Sequence, residues 1–456
     1  MPLKRLFKKT SLTLAAMSLG YGVVQLDVTI VNVAVNSIGA SFGGNMASLQ
    51  WVVSSYTIAF AAFILSAGAL GDRIGAKRIF IAGFAIFTAA SVVCAAAPTL
   101  LILIAARATQ GLGAAILVPN SLALLNHAYA DPKERSKAVG LWAAGASMAL
   151  TLGPLVGGVL IELFGWRSIF LVNLPLGLLG LGLAAKYAQE TPRDSSRSVD
   201  FLGQILGVVT LGLLAAVLIQ GGRTGWTNLW VLGGFGTTTV LALIFILIEH
   251  HSTHPMLPLG LFRQHTFRAT TITGVLVNIA FYGMIFVLSL YFQRAHHLSP
   301  LWTGLAFVPM TGACMLANIF TGRLSALIGD RKTIVIGTAL MMVACAAMLP
   351  MDKDTGYGLI LVTFIISGGG LGLMVPPLTH ALLGSVDKGR SGIASGVLNA
   401  SRQTGSVLGV SLFGSLIATP DQIIRGMHIA LAISVGVLLL ACAIELISMA
   451  RNGSEP

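Results

Sequence analysis

Fourteen apolar runs, each long enough to cross a bilayer and each parted from the next by a short polar stretch, succeed one another along the 456 residues of the chain. They lie near residues 11–36, 50–70, 79–97, 99–121, 138–161, 168–187, 201–220, 229–249, 269–292, 302–322, 333–350, 357–381, 392–417 and 427–449. About 20 apolar residues span the hydrocarbon as a helix, and a backbone in lipid must satisfy its own hydrogen bonds, which leaves helices or closed barrels. With 55% hydrophobic and 10% charged residues, the chain lacks the polar surface of a soluble protein of its length. The expectation is an all-α integral membrane protein. Its first run follows a cationic N-terminus, as a secretory leader does, yet it is too long for a leader and no small-residue cleavage site ends it, so it reads as the first spanning helix.

Cytoplasmic loops of membrane proteins collect lysine and arginine. With the N-terminus inside, the inside segments hold 21 cations and the outside loops 5, while Arg107 and Arg402 fall within spans and complete the 28. That asymmetry supports an even number of spans with both termini cytoplasmic. It also accounts for the net charge of +12 by topology, so nucleic-acid binding is not implied. Cys94, Cys314, Cys345 and Cys442 stand singly in apolar runs, without metal-ligand spacing, and read as small core residues. His250, His251, His254 and His265 lie in a polar linker with no accompanying carboxylate or cysteine pattern and read as a solvated loop. No metal and no cofactor is expected.

The chain also repeats itself. GALGDRIGAKR (68–78) aligns with GRLSALIGDRK (322–332) at an offset of 254 residues, GLGAAILVP (111–119) with GGGLGLMVP (368–376) at 257, and Arg135-Ser136 with Arg390-Ser391 at 255. One offset, held in order three times, equals a six-helix unit plus an inserted pair, so the architecture reads as six, two and six helices. The polar stretches 190–200 and 249–267 flank the inserted pair. The expected division is a six-helix bundle over 1–189, linkers with the inserted pair over 190–267, and a second six-helix bundle over 268–456.

In the first half, LDVTIVNVAV (26–35), QWVVSSYTIA (50–59), GALGDRIGAKR (68–78), ARATQGLGAA (106–115), LTLGPLVGGVL (150–160) and GWRSIFLVNLPLG (165–177) follow one another. LYFQ (290–293), TGLAFVPM (303–310) and NASRQTGSVLGV (399–410) follow in the second. In that combination, over nearly the whole chain, the sequence resembles the major facilitator superfamily and, within it, the fourteen-helix drug:proton antiporter family. The resemblance implies two six-helix bundles with an inserted pair, a bacterial inner (plasma) membrane, and proton-coupled efflux of small toxic compounds, amphipathic or cationic, by alternating access. An exporter or importer of one specific metabolite on the same fold is the alternative. A membrane enzyme would need a convergent catalytic set, and none is evident in the sequence. The expected partners are a small-molecule substrate, protons and the lipid bilayer, with a monomer as the expected unit.

A charge at the centre of a membrane helix costs about 2.5–3.5 kcal/mol on insertion scales. Asp27, near mid-span, is therefore expected to face an aqueous cavity or a protein partner. It is either a structural group bonded to Thr29 or Asn32 or a proton-exchanging carboxylate, and the resemblance favours the second role. Arg107 remains charged in any surroundings and needs an acceptor, which a carboxylate in a neighbouring helix or backbone carbonyls could supply; Asp27 is the mid-span acid available in the first half, and by resemblance Arg107 tunes the proton site. Asn32 reads equally as a cavity residue or a helix contact. With it, Tyr56, Trp142, Met148, Asn278, Tyr282 and Gln293 are candidates for the substrate cavity.

In 68–78, Gly68, Gly71 and Gly75 permit a close approach and a tight turn, while Asp72, Arg73, Lys77 and Arg78 stay at the cytoplasmic boundary. By resemblance Asp72 latches the outward-facing state against the helix that begins near Ser391, with Arg390 as the nearest cation. Ala326 stands at the Asp72 position of the second copy, so the latch is expected on one side only. Gly145, Gly153, Pro154, Gly157 and Gly158 open space on the fifth span, and their spacing resembles the antiporter motif. The second half has no acidic residue at mid-span, and Ser168 stands where the family usually has an aromatic residue.

Overall fold

The computed structural model describes residues 9–193, 200–252, 255–386, 391–417 and 422–452. Arg390 and His254 lie outside the described residues. The helices are α1 (Lys9–Phe42), α2 (Met46–Ile74), α3 (Ala76–Ala96), α4 (Leu100–Ala128), α5 (Pro132–Phe164), α6 in two pieces (Ser168–Leu171 and Asn173–Tyr187), α7 (Phe201–Thr224) and α8 (Leu229–His251). The second half continues with α9 (His265–Leu290), α10 (Pro300–Ile328), α11 (Asp330–Ala347), α12 (Tyr357–Gly384), α13 (Ser391–Leu416) and α14 (Ile423–Asn452). Several helices run past the apolar segments that announce them. The 34 residues of α1 reach about 51 Å at 1.5 Å per residue, more than the roughly 30 Å of hydrocarbon, because the polar ends remain helical.

Among the described residues, twelve helices are long and apolar enough to cross a membrane, against the fourteen spans expected from sequence. The two that fall short do so for different reasons. α11 opens on Asp330, Arg331 and Lys332, and α13 carries Asn399, Arg402, Gln403 and Thr404 in its middle. α11 falls short by its charged first turn while Ile336 and Val343 stay exposed, whereas enclosure by α2, α7 and α9 spares α13 the apolar circumference that lipid demands.

The two halves pack alike. α1 lies on α5 and α6, α4 on α2 and α3; in the same way α9 lies on α13 and α14, and α12 on α10 and α11. Close approaches coincide as well. A methyl group on Gly111 would stand 2.1 Å from the carbonyl oxygen of Tyr56, and one on Gly368 would stand 1.8 Å from that of Met310, which are the corresponding residues of the repeat. Gly75 and Gly329, also counterparts, end α2 and α10 with φ of 111° and 89°, a backbone that side-chained residues avoid. The halves meet through α2 against α13 and α5 against α10, contacts that exchange when one half is superposed on the other.

The inserted pair is unequal. α8 leans on α7 and is largely exposed. α7 lies along both α2 and α13, bridging the two halves on the outside of their contact. Gln204 of α7 is buried: its Nε2 donates to the Ala62 carbonyl at 2.9 Å and its Oε1 accepts from Ser66. Farther along α7, Gly222 sits against the backbone of Ser415.

Overpacking in a fitted core costs about 1–3 kcal/mol. Gly111→Ala is therefore expected to lower the melting temperature of the purified protein, whereas Gly236→Ala, where a methyl group meets nothing within 4 Å, should leave it unchanged. Thermal unfolding in detergent checks the contrast, and equal melting temperatures would refute the role given to the Gly111 contact.

Candidate functional site

Asp27 of α1 and Arg107 of α4 are both buried and form an ion pair through Asp27 Oδ2 and Arg107 Nη1. The other carboxylate oxygen accepts from Gln110 Nε2 at 2.9 Å and from Asn173 Nδ2 at 3.3 Å. Arg107 also donates from Nη1 to Gln110 Oε1 at 2.7 Å and from Nε to the Val52 carbonyl at 3.1 Å. The Tyr56 ring lies under the guanidinium, 4.3 Å from centroid to Cζ, a cation–π contact. Ser91 Oγ accepts from Gln110 Nε2 at 2.8 Å and donates to the Phe87 carbonyl at 2.7 Å. Charges in a low-dielectric interior require this degree of satisfaction.

Each group reaches the network from a different direction. Gln110 follows Arg107 by three residues, so the two share one face of α4. Asn173 stands at the break between the two pieces of α6, where the helix begins again and its side chain turns inward. The structure thus places Asp27 against protein and inside the first half. Neither Thr29 nor Asn32 is its partner: the Thr29 hydroxyl donates to the Leu150 carbonyl of α5 at 3.0 Å, and Asn32 Nδ2 to the Val28 carbonyl at 3.0 Å.

Three cavity candidates lie elsewhere. Tyr56 belongs to the ion-pair network, with its hydroxyl donating to the Val24 carbonyl at 3.3 Å. Asn32 and Gln293 take part in a seal between α1 and α9. Ser289 Oγ donates to the Asn32 carbonyl at 2.9 Å, Gln293 Nε2 to the Val33 carbonyl at 3.0 Å, and Arg294 Nε to Asn36 Oδ1 at 3.0 Å. Gln50 of α2 donates to the carbonyls of Val410 and Ser411 in α13 at 3.1 and 2.8 Å. All these bonds between halves gather at the end of the bundle that holds the turn between α1 and α2.

Below that seal, toward the opposite end, a cavity follows the seam between the halves. Thr29, Thr151 and Pro154 line it from the first half and Phe281, Ile285, Met310 and Cys314 from the second. Tyr21 and Trp142 stack with centroids 4.4 Å apart, and Trp142 donates to Ser121 Oγ at 3.1 Å. Tyr282 is buried against Phe281, Asn278 is half-buried with Nδ2 donating to the Gly274 carbonyl at 2.7 Å, and Met148 is exposed. Arg402 of α13 is half-buried, and its Nη2 donates to Thr379 Oγ1 at 2.9 Å.

Glycines of the fifth helix differ in their use. Methyl groups on Gly153 and Gly157 would strike Thr29 and Ile30 of α1, and one on Gly158 would strike the Pro300 carbonyl of α10; Gly304 packs against the Pro154 carbonyl. Gly145 has ordinary contact distance to spare, so the close-packing reason does not extend to it.

At the turn between α2 and α3, Asp72 and Arg73 are exposed and Gly71 is covered by Asn120. Gly68 would carry a methyl group at ordinary contact distance from Pro119. Lys77 Nζ donates to the Ala185 carbonyl at 2.9 Å, and Arg78 Nε stands 3.8 Å from Glu190 Oε2. Glu190 and Thr191, read from sequence as plain linker, cap α3. Glu190 Oε1 accepts from the Lys77 backbone at 2.9 Å, and Thr191 Oγ1 from the Ala76 backbone at 2.9 Å. The helix dipole favours that carboxylate.

The model of the Major Facilitator Superfamily matches residues 17–410. Multidrug resistance protein Stp of Mycobacterium tuberculosis (strain ATCC 25618 / H37Rv) is 37% identical over 89% of this chain and 76% of its own length. The methylenomycin A resistance protein of Bacillus subtilis (strain 168) is 35% identical over 97% of this chain and 95% of its own. Among solved structures, a peptide transporter POT in complex with sulfate superposes with a TM-score of 0.72 at 15% identity, over 96% of this chain and 94% of that one. With a family match over most of its length, relatives above 30% identity and the same helical fold, the chain belongs to the major facilitator superfamily.

Proposed function

We propose that the chain is a drug-efflux transporter that exchanges protons for small toxic molecules by alternating access across the plasma membrane. The relatives named for drug resistance support the efflux. The observation that carries the coupling is the buried pair of Asp27 and Arg107, the arrangement of a carboxylate that can be neutralised by a proton beside a cation that cannot. Protonation of Asp27 removes the charged partner of Arg107 and leaves it the neutral acceptors Gln110 Oε1 and the Val52 carbonyl. Losing one member of a buried pair costs about 3–5 kcal/mol, so the protonated protein favours any state in which Arg107 is better hydrated.

α1 transmits that change. Five residues beyond Asp27, the Asn32 carbonyl accepts from Ser289 in the seal between halves, and between them Thr29 and Ile30 pack on Gly153 and Gly157 of α5. A shift of α1 that relieves Arg107 therefore disturbs both the seal and the antiporter-motif helix. By the distribution of lysine and arginine the sealed end is extracellular and both termini are cytoplasmic, so the arrangement described is inward-facing. At the cytoplasmic end Asp72 acts as the latch of the opposite state, with Arg390 as its counter-charge. The three stretches 1–189, 190–267 and 268–456 are the working units, two bundles that rock and an inserted pair that does not carry substrate.

Asp27→Asn keeps the shape and removes the titrating proton. Uptake of drug into everted vesicles driven by an acidic lumen is expected to fall by about two orders of magnitude, the scale of a lost proton-transfer group, with the protein still inserted; uptake at the parental rate would refute the coupling. Asp72→Asn should raise the labelling of a Ser18→Cys reporter by an impermeant maleimide from the cytoplasmic face, and unchanged labelling counts against the latch. Thr237 and Thr238 bond only to carbonyls of their own helix, and Thr210 Oγ1 has no partner. The triple variant Thr210→Leu, Thr237→Leu, Thr238→Leu is expected to keep its range of drugs, and an altered resistance profile at normal expression would place the inserted pair in the transport path.

A further inference from the structure

The two polar stretches that flank the inserted pair meet beside α2. Asp200, where the first of them ends, caps α7, and its Oδ1 accepts from the Gly203 backbone at 2.7 Å. Glu249, near the end of α8, is only 2% exposed, and its Oε2 accepts from the Leu257 backbone at 2.8 Å. The second oxygen of each carboxylate, Asp200 Oδ2 and Glu249 Oε1, is buried without a hydrogen-bond partner. Both face the same place. A methyl group on Gly203 would stand within 3.0 Å of either one, so the bare face of that glycine leaves the two orphaned oxygens turned toward a single small space.

No cation answers them. Among the described residues, no lysine, arginine or histidine forms an ion pair with either carboxylate, and Asp200 is the charged group that acts on Glu249. α2 presents Ser66 and the Ala62 carbonyl, both already bonded to Gln204, and the stretch after α8 presents Met256 and Leu257. On α8 itself, His250 and His251 pack ring against ring, and His251 Nδ1 lies 2.8 Å from the Leu247 carbonyl. A calcium ion takes about six oxygen ligands or more, and no group of three or more side chains that could hold a metal stands among the described residues. Two carboxylates ionised in one buried corner repel, and each orphaned oxygen keeps its desolvation cost. One proton removes both penalties, because the carboxyl that takes it donates its O–H to the other in a short, charge-assisted bond.

We infer that Asp200 and Glu249 share one proton over Gly203, a proton-binding site separate from the Asp27 network. Glu249 holds Leu257, and Asp200 holds the first turn of α7. The next residue along from Gly203, Gln204, accepts from Ser66 of α2, and Met256, beside Leu257, brings its sulfur to 3.5 Å from the same hydroxyl. The shared proton therefore fastens both helices of the inserted pair, and the stretch that leaves them, to α2 of the first bundle. Its release sets two like charges against each other and loosens that corner.

Infrared spectroscopy reads the carbonyl stretch of a protonated carboxyl group, and the purified full-length protein in detergent supplies the sample. Asp200→Asn and Glu249→Gln each put an amide donor where the proton was. At neutral pH the difference spectrum of parent minus Asp200→Asn is expected to hold one protonated-carboxyl band, that of parent minus Glu249→Gln the same band, and that of parent minus Asp27→Asn should lack it. Absence of the band from both spectra overturns the inference. Its presence in only one marks a proton held by a single residue and overturns the sharing, and its removal from the parental protein by sodium or magnesium chloride at constant pH marks a metal site instead. Asp200→Ser, which keeps a cap on α7, takes the place of Asp200→Asn should that variant fail to insert. In the parental protein alone, protection of the Leu257 amide from hydrogen exchange, corrected for its intrinsic pH dependence, should fall by about tenfold or more for each pH unit gained once the proton is lost; protection that stays constant up to alkaline pH overturns the inference as well. Neither readout uses substrate or a gradient, so a failure here leaves the efflux reading standing.

Discussion

The pairing of Asp27 with Arg107 organises the first half of the molecule. Neither charge is tolerable alone in the hydrocarbon region, and the groups that make them tolerable come from almost every neighbouring helix: Tyr56 and the Val52 carbonyl from α2, Ser91 from α3, Gln110 from α4 and Asn173 from α6. Five of the six helices of that half are thereby fixed in rotation as well as position. A change of charge at one carboxylate is felt throughout the bundle, which a chain of exposed ion pairs could not achieve.

The second half shares the backbone plan and reverses the chemistry. At the repeat positions of Tyr56, Arg107 and Gln110 stand Met310, Phe364 and Ser367. These residues line an apolar cavity with Phe281, Met284, Met341 and Met348. The same glycine contacts hold the helices in both halves, so the fold tolerates a charged centre or an oily one. Methionine is suited to the second use, being flexible and polarisable. The division sets a buried ion pair on one side of the seam and an adaptable apolar wall on the other.

Much of this was legible in the sequence. Hydropathy located the helices, twelve of which, among the described residues, are long and apolar enough to cross a bilayer, and the offset of about 255 residues exposed the repeat. Asp27 and Arg107 stood out as charges where none is affordable. Their surroundings were less visible. Gln110 could have been found from its spacing to Arg107, but Ser91 and Asn173 give no signal, since a single sequence does not fix how a helix is rotated against its neighbours. For the same reason the sequence leaves Asn32 open between a cavity residue and a helix contact, and does not show that Gln293 bonds to α1. Glu190 was hidden by its place in a polar linker, where its cap on α3 depends on a contact more than a hundred residues away in sequence.

The seal itself is chemically lopsided. Gln50, Ser289 and Gln293 donate from side chains, and their acceptors are main-chain carbonyls of Asn32, Val33, Val410 and Ser411. Every residue offers a carbonyl, so those accepting surfaces persist through almost any replacement, and what the seal asks of side chains is these three donors together with the Arg294–Asn36 pair. Sequence drift in α1 and α13 that spares Asn36 can therefore reshape the walls of the cavity, and with them the compounds a lineage withstands, without loosening the barrier that keeps the membrane tight.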